Sequence, residues 1–207
     1  MNIKENISDS LQYPIKDWVK MIILGIILII PIVNFIGLGY YLRIIKSTLA
    51  GLDELPDFER VGELFIDGIK ILIVCIIYVI VPLIFYALSF TFAGLVFFII
   101  AAIFALIISI FAYMGIVNMA YYDSEIDAAL RYREILDRIT AIGWGNYILW
   151  WIVLMLIITV AGFIIGIVGG ILLYFVLGFL VFLLGYSYLI IFQARSVALT
   201  FASSREY

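Results

Sequence analysis

Three long stretches of this sequence contain no charged residue: Met21–Leu42, Ile71–Tyr122 and Ile139–Ala194, of 22, 52 and 56 positions. A helix needs about 20 apolar residues to cross the roughly 30 Å of a bilayer's hydrocarbon. The first stretch is long enough for one crossing, and each of the others for two joined by a turn. Within lipid, backbone groups must be paired inside the protein, which leaves helices and closed barrels. A barrel strand alternates apolar and polar positions over about ten residues, whereas these stretches are apolar on every face. The expected fold is all-α: a polytopic transmembrane helical bundle of about five spans with interfacial amphipathic helices, forming one domain over 1–207.

Composition narrows the chemistry. Hydrophobic residues make up 67% of the chain and charged residues 13%, against about a quarter charged in a soluble domain. There is no histidine, which removes the commonest general base and metal ligand. The single cysteine, Cys75, lies in an apolar run, so neither a disulfide framework nor a cysteine-based metal site is expected. The net charge of −3 arises in short loops and gives no reason to expect a nucleic-acid partner. No phosphate-binding loop, serine elbow or zinc motif occurs. Asp53, Glu54, Asp57, Glu59, Glu63 and Asp67 read as a solvated helical face rather than as carboxylates converging on a metal. The expectation is a protein without catalytic residues, metal or cofactor.

Along the chain, residues 1–18 place Ile3, Ile7, Leu11, Ile15 and Trp18 at helical spacing, which predicts an interfacial helix ending before Tyr13 because of Pro14. Asp17 is placed to cap the next helix. The first apolar segment, 19–42, lacks a convincing cleavage site and reads as a retained span rather than a signal peptide. Its Pro31, Asn34 and Gly37 admit two geometries: a kinked helix with Asn34 bonded to a freed carbonyl, or a re-entrant hairpin turning near Pro31–Asn34.

Gly51 should stop the helix that carries Arg43 and Lys46. Pro56 and Asp57 then predict an amphipathic helix over 56–69 within a polar connector, 43–70. A helical hairpin follows over 71–117, divided around Ser89–Thr91, with Pro82 kinking its first arm. The amphipathic connector 118–146 shows a Ser124/Asp127 capping box and a surface helix ending near Gly143. The second hairpin, 147–192, divides most naturally at Gly169–Gly170, and 193–207 reads as a cytoplasmic tail. Residues 53–122 and 123–194 thus share one plan, an amphipathic helix followed by a charge-free hairpin.

The basic residues set the expected orientation. In a five-span arrangement Arg43, Lys46, Arg60, Lys70, Arg131, Arg133, Arg138, Arg195 and Arg205 fall on one side, and Lys4, Lys16 and Lys20 on the other. The positive-inside rule makes the long connectors and C-terminus cytoplasmic. A re-entrant first segment would bring all twelve to that side. The scattered polar residues Ser109, Asn118, Asn146, Thr159 and Ser187 read as helix-to-helix hydrogen-bonding groups. Gly162, Gly166 and Gly170 recur every four residues and predict close packing against another helix of the chain. Arg43 and Asp67 are expected at similar depth, where a pair would fix the first span to the second beside Gly39 and Gly68. The competing arrangement pairs Asp67 with Lys70 along its own helix.

The stretch around Gly39, Tyr40 and Arg43, then Gly51, Pro56 and Phe58, then Asp67 and Gly68, resembles an uncharacterised, largely archaeal family of polytopic membrane proteins, domain of unknown function 4013. In that family a G-Y-x-x-R element ends a span, followed by G-x-x-x-x-P-x-F and a D-G before the next. The resemblance is strongest over 11–82. It implies an integral membrane protein and no particular activity. With Asn34, these eight residues are the candidate structural or functional positions. The function expected is a non-enzymatic scaffold or regulatory protein of the cell membrane, the alternative being a small-solute transporter or channel subunit. Its expected partners are membrane lipids and a protein partner or a second copy of the chain.

Overall fold

A computed structural model describes residues 2–91, 93–173 and 177–205. The chain folds into eight α-helices among the described residues: α1 (Ile3–Gln12), α2 (Trp18–Ile29), α3 (Asn34–Leu49), α4 (Val61–Leu88), α5 (Gly94–Tyr121), α6 (Tyr132–Ile142), α7 (Trp144–Leu172) and α8 (Leu177–Ala202). The expected all-α bundle is present. Four helices, α4, α5, α7 and α8, are long and apolar enough to cross a membrane.

The first apolar segment is a hairpin, which leaves four helices long and apolar enough to cross a membrane where five spans are expected. At 12 residues, α2 is about 18 Å long, roughly half the hydrocarbon thickness. The chain reverses over Ile30–Val33, where Pro31 precedes Ile32 at φ +72°. Helix α3 runs back along α2, so that a Cβ at Gly37 would stand 2.7 Å from the Leu28 side chain. The start of α2 and the chain just beyond α3 meet at one end. The Lys20 ammonium there binds the Leu55 carbonyl at 2.6 Å and the Asp57 carboxylate at 2.8 Å. Of the two geometries for this segment, the hairpin turning near Pro31–Asn34 is the one formed.

Local signals before the hairpin act as expected. The Asn2 side chain caps α1, Pro14 diverts the chain into a single 3-10 turn (Tyr13–Lys16), and Asp17 Oδ1 accepts the Lys20 N–H at 3.0 Å. Gly51, at φ +79°, ends α3 in a backbone conformation that residues with a Cβ disfavour. The first hairpin divides between Leu88 and Gly94, around Ser89–Thr91, and Pro82 lies inside α4.

Other boundaries differ. No separate helix covers 56–69. Residues 55–60 are non-helical and α4 begins at Val61 after Arg60 at φ +51°. Side chains of neighbouring helices take the backbone carbonyls of 55–57 and Glu59, and these fixed bonds override the helical pattern. The Ser124/Asp127 box does not form: Ser124 sits at φ +67° with its buried hydroxyl unpartnered, and Asp127–Leu130 is a 3-10 turn ahead of α6. Helix α7 continues past Gly169–Gly170 to Leu172. Nor is 193–207 a free tail, because α8 runs to Ala202 with its polar side chains inside the protein. Residues 206 and 207 lie outside the described residues.

Packing is concentrated at one end. The buried residues of α5 gather from Met114 to Ala120, apart from Ala101. Those of α7 gather at Tyr147, Trp150 and Leu154, apart from Gly169. Tyr13, Tyr40, Tyr147, Trp150, Phe192 and Phe201 are the largest fully buried side chains. The opposite halves of the spans expose isoleucine, leucine and phenylalanine, as suits helices solvated by lipid. Gly162, Gly166 and Gly170 have open space where a Cβ would stand, so the expected packing face is absent among the described residues. The contact lies at Gly169, against the Phe182 ring, and at Gly185, against Ile165. A small-residue stripe permits close approach without compelling it, and here larger side chains one position away set the helix rotation.

Candidate functional site

The tightly packed end also collects the charge. It is built by α1, the segment 50–60, the turn 122–131, α6 and the end of α8. Its centre is Arg195, only 6% exposed. Its Nε meets Asp9 Oδ1 at 2.7 Å and its Nη2 meets Asp53 Oδ1 at 2.9 Å. Nη1 donates to the Leu52 carbonyl at 2.9 Å, and the guanidinium lies over the Tyr13 ring at 4.5 Å. A buried cation requires such compensation. Arg195 thereby ties α8, α1 and the segment after α3 together.

The next residue, Ser196, and Thr200 one turn beyond it join α8 to α1 and α7. Trp150 Nε1 donates to Ser196 Oγ at 3.0 Å, Ser196 Oγ donates to Asn6 Oδ1 at 2.7 Å, and Asn6 Nδ2 reaches Thr200 Oγ1 at 3.0 Å. Sequence reasoning misses this network because it places 193–207 outside the fold. Asn6 and Ser10, the buried residues of α1, flank the apolar stripe, whose Ile3 and Ile7 also pack against the core.

The residues behind the family resemblance converge on the segment after α3. The Tyr40 hydroxyl donates to the Pro56 carbonyl at 2.8 Å, and its ring stacks on Phe58 with centroids 4.0 Å apart. Arg43 donates to the carbonyls of Asp57 and Glu59. A Cβ at Gly39 would overlap the Leu64 backbone and one at Gly68 the Phe35 backbone, so α3 and α4 touch main chain to main chain. The predicted Arg43–Asp67 bond is not made. Asp67 instead faces Lys46 at 3.7 Å and Lys70 at 3.9 Å, because Arg43 is spent on carbonyls that a helix over 56–69 would have used itself. Asn34 opens α3, with its Oδ1 buried and unpartnered.

Between α3, α4 and this segment lies a cleft of about 350 Å³, lined by Arg43, Lys46 and Arg60 together with Asp57, Glu59, Glu63 and Asp67. Four of the acids predicted to lie on an open face pair with cations: Asp53 with Lys16 at 2.6 Å, Asp57 with Lys20, Glu63 with Arg60 at 3.4 Å, and Asp67 with Lys46. The hydrogen bond from Lys16, aided by its charge and that of Arg195, holds the Asp53 carboxyl below the usual range. The Lys46 hydrogen bond does the same for Asp123. Burial pushes the Tyr13 hydroxyl up to about 12. Such an arrangement can present fixed, alternating charge to a partner.

Helix α6 buries Ile135, Ile139 and Ile142 and leaves Tyr132, Arg133, Leu136 and Asp137 exposed. Arg138 lies over the Phe201 ring at 4.8 Å, joining α6 to the end of α8.

Four long apolar helices, a short helical hairpin and a charged end define a polytopic helical membrane protein. The chain belongs to the family described as Protein of unknown function (DUF4013), which it matches over residues 23–170. No curated protein and no solved structure matches it.

Proposed function

We propose that this protein is a non-enzymatic scaffold or regulatory protein of the cell membrane, and that its charged end is the working face, turned to the cytoplasm. One observation carries the reading: the described charged side chains are gathered at a single, densely cross-linked end of the bundle. Several polar groups within the spans are used internally. Ser109 bonds the Leu106 carbonyl at 2.8 Å, Ser187 the Leu183 carbonyl at 2.8 Å, and Asn118 the Ala128 carbonyl at 2.9 Å. With the first segment re-entrant, all twelve basic residues lie on one side, and the positive-inside rule makes that side cytoplasmic.

A transporter is the second reading, favoured by the re-entrant hairpin and by Asn34 at its turn. Purified protein in liposomes separates the two. The scaffold reading expects no flux of ions or small solutes above that of empty vesicles. It also expects Glu59→Lys with Glu63→Lys to shrink the complex isolated from native membranes. Solute-selective flux abolished by Asn34→Leu would install the transporter in its place.

A further inference from the structure

Helices α4 and α5 do not close on each other along their whole length. Beside Cys75, Tyr78, Val79 and Pro82 of α4 and Ala105 and Ala112 of α5 lies a pocket of about 360 Å³. A second cavity shares Val79, Pro82 and Ala105 and carries the groove on to Tyr86 and Phe98. From Cys75 to Tyr86 the helix rises about 16 Å, so the groove follows roughly half the hydrocarbon thickness. The alanines of α5 open it, and the stacked rings of Phe85 and Phe104, 5.2 Å apart, brace the two helices. Both walls belong to the charge-free stretch Ile71–Tyr122.

The hydroxyl groups in the walls are already engaged. The Tyr78 hydroxyl donates to the Ala129 carbonyl, the Tyr113 hydroxyl accepts from Gln193 Nε2 at 2.8 Å, and Ser109 bonds its own helix. The groove therefore offers carbon surface at a depth where the surrounding solvent is hydrocarbon. Its occupant must be a flexible apolar chain, because a polar solute would find no free partner there. The Tyr78–Ala129 bond brings the turn before α6 against the groove's polar-end mouth. Four residues beyond Ala129 stands Arg133, exposed and in no ion pair among the described residues. A cation near the end of an apolar groove complements an anionic headgroup.

We infer that the α4–α5 groove binds one anionic membrane lipid, with a hydrocarbon tail along Cys75–Tyr86 and its headgroup at Arg133. Native mass spectrometry of protein released from mixed micelles tests this. With phosphatidylglycerol the wild-type protein should retain one lipid, and with phosphatidylcholine markedly less. Ala105→Phe and the milder Ala105→Leu should cut retention, the former about tenfold, while Gly166→Phe on the outer face of α7 should leave it unchanged. Arg133→Gln should abolish the headgroup preference without expelling the tail. In wild-type protein, a lipid with a photoreactive tail should cross-link Val79 and Ala105 in excess over Ile167, a readout independent of any variant's folding. Uniform cross-linking, or retention unaltered by filling the groove, overturns the site. A headgroup preference that survives Arg133→Gln overturns the assignment of the headgroup.

Discussion

The Arg195 guanidinium meets the Asp9 carboxylate side by side, Nε to Oδ1 at 2.7 Å and Nη2 to Oδ2 at 3.4 Å, although 186 residues separate them. Removing the cation leaves Asp9 and Asp53, with side chains 39% and 65% exposed, facing each other without a counter-charge. Arg195→Gln is expected to cost about 3 kcal/mol, the lower end of the range for breaking a buried pair, because both carboxylates keep contact with water. Asp9→Asn, which keeps one acceptor, should cost less, about 1–3 kcal/mol. Unfolding in detergent measures both, and equal stability of the two variants and the parent would deny the network its role.

Glycines divide into two kinds. Gly68→Ala drives a methyl into the Phe35 backbone and should destabilise by at least the 1–3 kcal/mol typical of overpacking, a range of about that size. Gly166→Ala meets nothing and should be neutral or stabilising within about 1 kcal/mol. The reverse order of melting temperatures would mean that the α3–α4 contact is misplaced.

Acid should act through Asp53. Its carboxyl titrates lower in the folded protein than in the unfolded chain, because Lys16 and Arg195 favour the anion. The contribution is therefore complete above about pH 4 and is lost as pH falls through the lower, folded value. Asp53→Asn should lie below the parent in stability at neutral pH and converge with it in strong acid. Tyr13 acts at the other extreme. Burial raises its hydroxyl to about 12, so its contribution is intact below about pH 10 and declines as pH rises through that folded value. A stability difference between the parent and Asp53→Asn that did not change with pH would exclude the ionic account.

Re-entrance has a direct signature. In a Cys75→Ser background, the single replacements Lys4→Cys and Asp137→Cys should react with an impermeant maleimide from the same face of sealed vesicles. Phe90→Cys, at a position 79% exposed at the far tip, should react from the other. Labelling of Lys4→Cys together with Phe90→Cys would restore a crossing first segment.

Sequence periodicity discloses the helices but not which faces meet. Charge-free runs define the hairpins, since hydrocarbon admits little else, and Pro14, Asp17 and Gly51 act locally enough to be read singly. The segment 55–60 defeats a periodicity reading because its helical pattern competes with side-chain donors remote in sequence. Among the candidate positions, Gly39, Tyr40, Arg43, Pro56, Phe58 and Gly68 do assemble, whereas Gly162, Gly166 and Gly170 do not. Arg195 is not legible because a lone cation after 56 charge-free residues looks like a boundary marker until its partners are known.

The closure of α8 on α1 has a consequence for the order of assembly. During synthesis α1 is made well before α8: Ser196, Thr200 and Arg195, which satisfy Asn6 and Asp9, emerge 186 to 194 residues later. At about 5–20 residues per second that is a wait of roughly 10–40 s. Throughout it the partners of Asn6 and Asp9 are absent, and the apolar stripe of α1 suits it to rest on the membrane surface. Helix α8 is thus the element that takes α1 from that surface and seals the charged end.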